Sequence, residues 1–175
     1  MRTRKVATMP ITVEVVDFQQ AMSSFPGGIT AVTTQRNHLP VGIIATSVCS
    51  LSADPPSIIV CINKNASLHD AILAEKCFAV NLLSTTHQAV VQRFQSHKGH
   101  DRFESHLWTT LNTGAPILVN AATALDCELL DTHDGYSHTI IVGAVKATTT
   151  TTAANQDCLL WHGRGYARST PLFAR

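Results

Sequence analysis

The sequence predicts a mainly β protein, an antiparallel barrel with accessory helices. Five or six segments of strand length, rich in β-branched residues, are separated by turn residues, and helical segments occur singly between them. No Gly-x-Gly-x-x-Gly follows a strand, which disfavours a doubly wound nucleotide-binding sheet. The 175 residues suit one domain, and with only 14% charged residues the composition indicates extra buried surface, as a dimer interface or a cofactor pocket would provide.

The first third of the chain contains a helix and a hairpin. Residues 1–15 are predicted to be an N-terminal arm, ahead of one domain over residues 16–167 and a C-terminal tail over residues 168–175. Apolar residues at helical spacing predict a short helix from Val16 to Phe25, ended by Pro-Gly-Gly. Two β-branched segments around the polar turn at 36–38 then predict a hairpin.

The stretch from Val41 to Asn65 has the composition of a ligand pocket. An apolar strand leads into a predicted hydroxyl-rich turn, and the Asp54-Pro55-Pro56 break is followed by a continuous apolar strand at 57–63. The turn carries four short side chains that can meet an anion or a polar heterocycle: Thr46, Ser47, Ser50 and Ser52.

Two further helices are predicted from capping residues and apolar stripes. Ser67 is the expected N-cap of a helix over 68–76, with Leu68, Ala71, Ile72 and Ala74 as its stripe. A buried strand is predicted at 77–84, and Thr85 is the expected cap of a helix over 86–95. A polar loop with several histidines follows.

The C-terminal third is predicted to be strands. Residues 124–131 alternate, which places Leu125, Cys127 and Leu129 on one face and Asp126, Glu128 and Leu130 on the other. A turn at Asp134-Gly135 joins this strand to one at 138–147, and the threonines at 148–152 are expected to be an exposed strand end or loop. Residues 158–163 form a last predicted strand, and the rest is expected to be a tail.

Charge, hydropathy and cysteine use exclude several functions. A net charge of +1 gives no electrostatic case for nucleic acid or an anionic membrane, and no apolar run reaches the roughly 18–20 residues of a membrane span. The N-terminus has no apolar signal-peptide region, and five scattered cysteines without a Cys-x-x-Cys indicate buried thiols in a reducing cytoplasm. The nine histidines show no metal-ligand spacing, and no nucleophile elbow is present, so neither a metal site nor a catalytic triad is predicted.

Three further positions are candidate ligand contacts. The helix start at Ser67 would suit a phosphate, although an ordinary N-cap has the same pattern. Arg102, in a Gly-His-Asp-Arg-Phe loop, could clamp that phosphate or be a solvated surface arginine. His138 follows a Gly-Tyr-Ser turn at the mouth of a strand, where an imidazole either faces a pocket or is merely structural.

Several motifs together resemble a known family. They are GIIATSVCSLSADPPSIIVCINKNAS at 42–67, FAVNLLS at 78–84, Arg102-Phe103 before Trp108, Gly-Ala-Pro at 114–116 and GYSHTIIVG at 135–143. In this order they resemble the short-chain flavin reductases with an FMN-binding split barrel, which include the reductase components of two-component flavin monooxygenases such as 4-hydroxyphenylacetate 3-monooxygenase. The resemblance covers roughly residues 18–166.

The resemblance implies a homodimeric split β-barrel that binds FMN or FAD near the dimer interface and takes hydride from NADH or NADPH. It implies that reduced flavin diffuses to a separate monooxygenase. Two alternatives stay open, namely a flavoprotein that keeps its FMN and reduces another acceptor such as a corrinoid or quinone, and a non-catalytic flavin-binding dimer.

The resemblance also implies a set of site residues. Thr46, Ser47, Val48, Cys49 and Ser50 would line the isoalloxazine, Cys61 and Asn63 would lie beside the ring and the ribityl chain, and Ala66 and Ser67 would contact the phosphate. Arg102 and Phe103 would lie near the phosphate or the nicotinamide, and His138 near both flavin and nicotinamide, as the residue expected in catalysis.

Overall fold

The computed structural model of the chain describes residues 13–151 and 157–172; most of the predicted N-terminal arm lies outside these residues. The three α-helices of this part are α1 (Val15–Ser23), α2 (Ser67–Glu75) and α3 (Gln88–Ser96), and short 3-10 turns cover Thr85–His87, Gly99–Arg102 and Ser105–Leu107. The strands are β1 (Gly27–Gly28), β2 (Thr30–Arg36), β3 (Leu39–Ala45), β4 (Val48–Ala53), β5 (Pro56–Asn63), β6 (Cys77–Leu82), β7 (Trp108–Thr110), β8 (Pro116–Leu118), β9 (Thr123–Gly135), β10 (His138–Thr150), β11 (Leu159–His162) and β12 (Gly165–Arg168).

Seven antiparallel strands form the main sheet, in the order β3-β2-β6-β9-β10-β5-β4. All seven contribute side chains to one apolar cluster, whose buried members include Val32, Val60, Phe78, Cys127 and Ile141. A sheet whose two end strands face the same cluster is curled into a barrel. Its end strands β3 and β4 follow each other in the chain but are not neighbours in the sheet, so the barrel is split between them.

A second apolar cluster lies outside the barrel against β2 and β6. Helix α3 and the β7–β8 hairpin supply Val91, Phe94 and Ile117, and these pack on Ala31 and Ala79. Residues next to these alanines in the chain face the barrel interior instead, because successive side chains of a strand point to opposite faces. Strands β2 and β6 are therefore buried on both sides, whereas β4 is exposed over most of its length.

The predicted mainly β fold with accessory helices is confirmed, and the 29–47 hairpin forms as β2 and β3 around Asn37 and His38, which both have positive φ. The long hairpin of β9 and β10 turns at Tyr136 and Ser137, two residues later than predicted, because Asp134 and Gly135 still pair with Thr139 and His138. No helix in the described residues is long and apolar enough to cross a membrane.

Several local predictions are wrong. Residues 48–53 are not a turn but strand β4, since β5 provides a ladder partner for them. The N-cap of α2 is Ala66 rather than Ser67, which is the first helical residue, and Ala74 is exposed. Ser84, not Thr85, caps the next helical segment: its Oγ lies 2.8 Å from His87 Nδ1, and its N–H donates to the same nitrogen at 3.1 Å.

Two predictions failed in the C-terminal third because distant residues decide the outcome. Asp126 is fully buried, although the alternation puts it on one face with Glu128 and Leu130, which are both exposed. Its carboxylate accepts hydrogen bonds from the backbone N–H and the hydroxyl of Thr113. The expected tail contains a further strand, β12, because Gly165–Arg168 pairs with β11 across a Gly163-Arg164 turn.

Candidate functional site

The exposed edge of the barrel is formed by β4, which carries most of the predicted ring-binding side chains. Val48 is half-buried against the barrel core, while Thr46, Ser47, Cys49 and Ser50 are exposed. Ser47 fixes this edge to β5, because its hydroxyl donates to the Cys61 carbonyl at 2.8 Å and its own carbonyl accepts from Cys61 N–H at 3.1 Å. The edge thus presents short polar groups on a backbone held in place by a neighbouring strand.

Cys61 lies beside this edge on the outer face of β5. Its neighbours Val60 and Ile62 are fully buried in the barrel, so the half-buried Cys61 points the other way. Burial, and secondarily the nearby Cys49 thiol, raises the pKa of Cys61. The Cys61 thiol therefore stays neutral near pH 7 and offers apolar surface rather than a nucleophile.

Asn63 shapes the connection from β5 into α2. Its side-chain oxygen accepts a hydrogen bond from Asn65 N–H at 2.8 Å, and its carbonyl accepts one from Ala66 N–H at 2.9 Å. Ala66 then caps α2 in an extended conformation without a side-chain hydrogen bond, and Ser67 is exposed in the first turn. Among the described residues the Ser67 hydroxyl has no hydrogen-bond partner, so it and the helix start are available to an anion.

His138 lies directly opposite Asn63, because β10 begins where β5 ends. The half-buried His138 ring has its Nδ1 2.9 Å from the Ser137 hydroxyl, which leaves Nε2 without a partner in the described part of the chain. The turn is also tied to the segment before α2, since Lys64 N–H donates to the Ser137 carbonyl at 3.0 Å and the Lys64 ammonium pairs with the Asp134 carboxylate. The hydrogen bond and the charge of Lys64 lower the pKa of Asp134.

A buried histidine that the sequence reasoning missed joins α2 to β10. His69 Nε2 lies 2.9 Å from Thr139 Oγ1, and Nδ1 lies 2.8 Å from the Asp70 carboxylate. His69 is buried in the first turn of α2, and Thr139 follows His138. The bridge therefore sets the position of the helix start relative to His138. In the sequence, the signal for a buried polar contact was the presence of a histidine, His69, among the apolar residues at 68–72.

Arg102 and Phe103 lie apart from these residues. The Arg102 guanidinium donates to the backbone carbonyl of Gly42 at 2.7 Å and to that of His97 at 3.0 Å, and it lies 5.7 Å from the centre of the Phe94 ring. Phe103 packs against Phe94 and Trp108, with ring centres 5.2 and 4.8 Å away. The contacts of both side chains in the described residues are thus with the α3 side of the barrel, not with Ser67 or His138.

Thr46 has a second neighbourhood that the sequence reasoning also missed. It packs against Gly27, where an added Cβ would lie 2.9 Å from Thr46 Cβ. It also lines a cavity of about 250 Å³ whose other walls include Trp161 and Tyr166. These two aromatic residues lie on β11 and β12, so only the folded chain brings them to Thr46.

The donor set fits a flavin. A flavin combines an apolar ring, polar ring edges and an anionic phosphate, and such ligands require apolar walls with a few placed polar groups. The exposed hydroxyls of β4, the half-buried Cys61 surface and the start of α2 provide these three features along one edge. Among the described residues, no group of three or more His, Cys, Asp or Glu side chains could hold a metal ion.

Comparisons with known proteins point the same way. The family model described as the flavin reductase like domain matches residues 22–170. FMN reductase (NADH) RutF 2 of Methylorubrum extorquens is 33% identical over 162 residues, which cover 92% of this chain and 93% of that protein.

Solved structures agree in fold. NADH:FAD oxidoreductase SgcE6 of Streptomyces globisporus has a TM-score of 0.83 at 29% identity, covering 95% of this chain and 100% of that one. Nitrilotriacetate monooxygenase component B of Mycobacterium thermoresistibile has a TM-score of 0.82 at 30% identity, covering 91% and 92%.

Proposed function

The chain belongs to the family of flavin reductase like domains, and from this membership we propose that it is an NADH-dependent FMN reductase that can also accept FAD. The observation that carries the proposal is the convergence of the β4 hydroxyls, the α2 start and His138 at one edge of the barrel. The relatives support the choice of substrates, because one is named an NADH-dependent FMN reductase and another an NADH:FAD oxidoreductase.

Different residues of this edge would bind different parts of the flavin. Ser47 and Ser50, with the backbone of residues 46–50, would hold the polar edge of the flavin ring, and Cys61 and Asn63 would flank the ring and the ribityl chain. Ala66 and Ser67 would meet the phosphate at the helix start. The bound flavin supplies the hydride-accepting chemistry, which needs no protein nucleophile.

His138 is the residue we propose for catalysis. Its ring is held by Ser137 through Nδ1, and its position opposite Asn63 fixes it beside the proposed ribityl contact. A protonated imidazole there would favour negative charge on the neighbouring ligand, and a neutral one would orient the nicotinamide. Both roles depend on the His69–Thr139 bridge behind it.

We also propose that the protein is a homodimer. Within the described part of the chain the apolar side chains of α1 are uncovered, since Val15, Val16 and Phe18 are 65%, 64% and 59% exposed. The outer face of β5 and β10 is apolar and half-exposed as well, with Ile59 opposite Val142. A second copy on these surfaces would bury both, and it would place the flavin edge near the interface.

The biological setting follows from the relatives and the thiols. We propose that the reduced flavin leaves for a separate flavin-dependent monooxygenase, as the name of the monooxygenase component among the structural neighbours suggests. The five cysteines are all free thiols, which supports a location in the reducing cytoplasm. The proposed domain spans residues 16–167, with residues 1–15 as an arm and 168–175 as a tail.

Anaerobic stopped-flow kinetics test the proposal. NADH and NADPH are each mixed with the protein and FMN, FAD or riboflavin, and we expect flavin bleaching with NADH and FMN. His138→Ala should slow hydride transfer at saturating substrates, while His106→Ala, at an exposed and distant histidine, should not. Absence of bleaching with every pair would refute the proposed activity, and an unchanged rate for His138→Ala would remove that residue from the mechanism.

A further inference from the structure

Two adjoining cavities lie on the side of the barrel where β12 meets α3. One, of about 250 Å³, is lined by Thr46, Trp161 and other residues; the second, of about 240 Å³, is lined by Leu159 and by residues of α3. Tyr166 and Gln95 line both and form the partition between them. Thr46, which belongs to the proposed flavin edge, therefore also lines the first cavity, whereas the second cavity is lined by residues of α3, Leu159 and Tyr166.

Trp161 and Tyr166 present aromatic surface to these cavities. The two residues are opposite each other in the β11–β12 hairpin, with ring centres 5.4 Å apart and planes at 81°. Trp161 is 38% and Tyr166 52% exposed, although aromatic residues of this size are usually well buried. A planar heterocycle stacks on an aromatic ring face, and because the two planes are nearly perpendicular, a base that stacks on Trp161 meets Tyr166 at its edge.

The other wall is uncharged and rich in amides. Gln95 donates from Nε2 to the Tyr166 hydroxyl at 2.8 Å, and its Oε1 has no donor within the described residues. Gln88 and Gln92 line the second cavity from the same helix. An amide that offers both an acceptor and donors matches the exocyclic amine and ring nitrogen of adenine.

The size of the cavities selects the occupant. Pockets that enclose a drug-sized ligand measure roughly 300–1,000 Å³, so a cavity of about 250 Å³ holds one ring system and not a whole dinucleotide. Since the neighbouring edge already has the phosphate and hydroxyl contacts expected for flavin, the ring stacked here belongs to another part of the substrates.

We propose that the adenine of a nucleotide substrate stacks on Trp161, with Tyr166 and Gln95 at its edge. This inference rests on the proposed function, under which two substrates carry an adenine, namely NADH and FAD. Stacking here would anchor the adenosine end while the reacting ring lies on the other side of Thr46, along residues 47–50, and it would not contribute to the binding of substrates that lack adenine.

Steady-state kinetics with truncated substrates distinguish whether the adenine bound here belongs to NADH or to FAD. Trp161→Leu removes the stacking ring but keeps apolar bulk, and Trp161→Phe is the matched control that keeps a ring. If adenine of NADH binds here, Trp161→Leu raises the KM of NADH roughly 5- to 150-fold, the range for losing one base-stacking aromatic, and leaves that of reduced nicotinamide mononucleotide unchanged. If adenine of FAD binds here, the same change appears for FAD and not for FMN.

Binding of AMP gives a readout that does not require turnover. The chain has two tryptophans, so in Trp108→Phe the fluorescence comes from Trp161 alone, and AMP should quench it saturably. Calorimetry should show AMP binding to wild type and to Trp161→Phe but weaker binding to Trp161→Leu. The inference is overturned if AMP does not bind wild type, or if Trp161→Leu affects adenine-containing and truncated substrates equally. AMP binding by a protein that reduces no flavin would refute the proposed function but not the stacking site.

Discussion

Replacing Arg102 by alanine separates a ligand-binding role from a structural one. The resemblance to flavin reductases places this guanidinium near the phosphate or the nicotinamide. In the fold, however, it donates to the carbonyls of Gly42 and His97 and lies over the Phe94 ring. Since two of its nitrogens, Nε and Nη1, donate within the protein, we expect Arg102→Ala to act first on stability.

The magnitude follows from these three contacts. The bond to Gly42 is half-buried and comes from a charged donor, for which about 1.5 kcal/mol is the low end of the usual range. The bond to His97 is exposed, so water competes for the same donor and the bond adds only about 0.5 kcal/mol, and the cation–π contact at a partly exposed site adds about 0.5 kcal/mol. Loss of Arg102 should therefore lower the free energy of unfolding by about 2–3 kcal/mol, or roughly 4–12 °C in Tm for a chain of this size.

Urea unfolding followed by circular dichroism measures this loss of stability. Titration with FMN in buffer without urea measures the affinity of each variant for the flavin. Arg36→Ala is the matched control, because Arg36 is exposed at the end of β2 and its removal should change stability by less than about 0.5 kcal/mol. The structural reasoning fails if Arg102→Ala unfolds like wild type while its affinity for FMN falls.

Three further predictions address the phosphate contact, the core and a buried thiol. Ser67→Ala should raise the Kd of FMN but not of riboflavin, which lacks the phosphate, and leave the urea midpoint unchanged; equal effects on both flavins would contradict a phosphate contact. Gly143→Ala should cost about 1–3 kcal/mol, because an added Cβ would lie 2.4 Å from Phe78 Cζ in the core; a urea midpoint equal to that of wild type would mean that Phe78 moves freely. Burial raises the pKa of Cys127 from 9.0 to about 12, so the unfolded chain loses this proton first and stability should fall between pH 9 and 12, by up to about 1.4 kcal/mol per pH unit. Urea unfolding at pH 8 to 10.5 should show a shallower fall in Cys127→Ala, and identical slopes would contradict this assignment.

The sequence was informative wherever a pattern is local. Continuous apolar runs predicted the strands at 57–63 and 77–84, alternation predicted the strand at 124–131, and helical spacing predicted all three helices near their observed positions. Capping was less predictable, since Ala66 and Ser84 take the positions expected of Ser67 and Thr85. Which residue caps a helix depends on where the preceding strand ends. The end of that strand is set by the strand it pairs with, not by the type of the capping residue.

The candidate site was predictable only in its continuous part. Residues 46–67 stand together in the chain, so their motif could indicate a flavin edge before the fold was known. The His69–Thr139 bridge joins residues that are 70 positions apart. The structure also directs Arg102 to Gly42 and brings Trp161 to Thr46, which no local spacing encodes.

By itself, then, the sequence determined the class of fold and the family and led to the proposed ligand-binding segment, because these depend on side-chain periodicity and on a continuous motif. Only the tertiary structure decided that residues 48–53 extend as an edge strand, that Asp126 is buried, and that Trp161 and Tyr166 line a cavity together with Thr46. Each of these depends on which distant strand supplies hydrogen bonds or covers a side chain, and strand pairing across the barrel sets that.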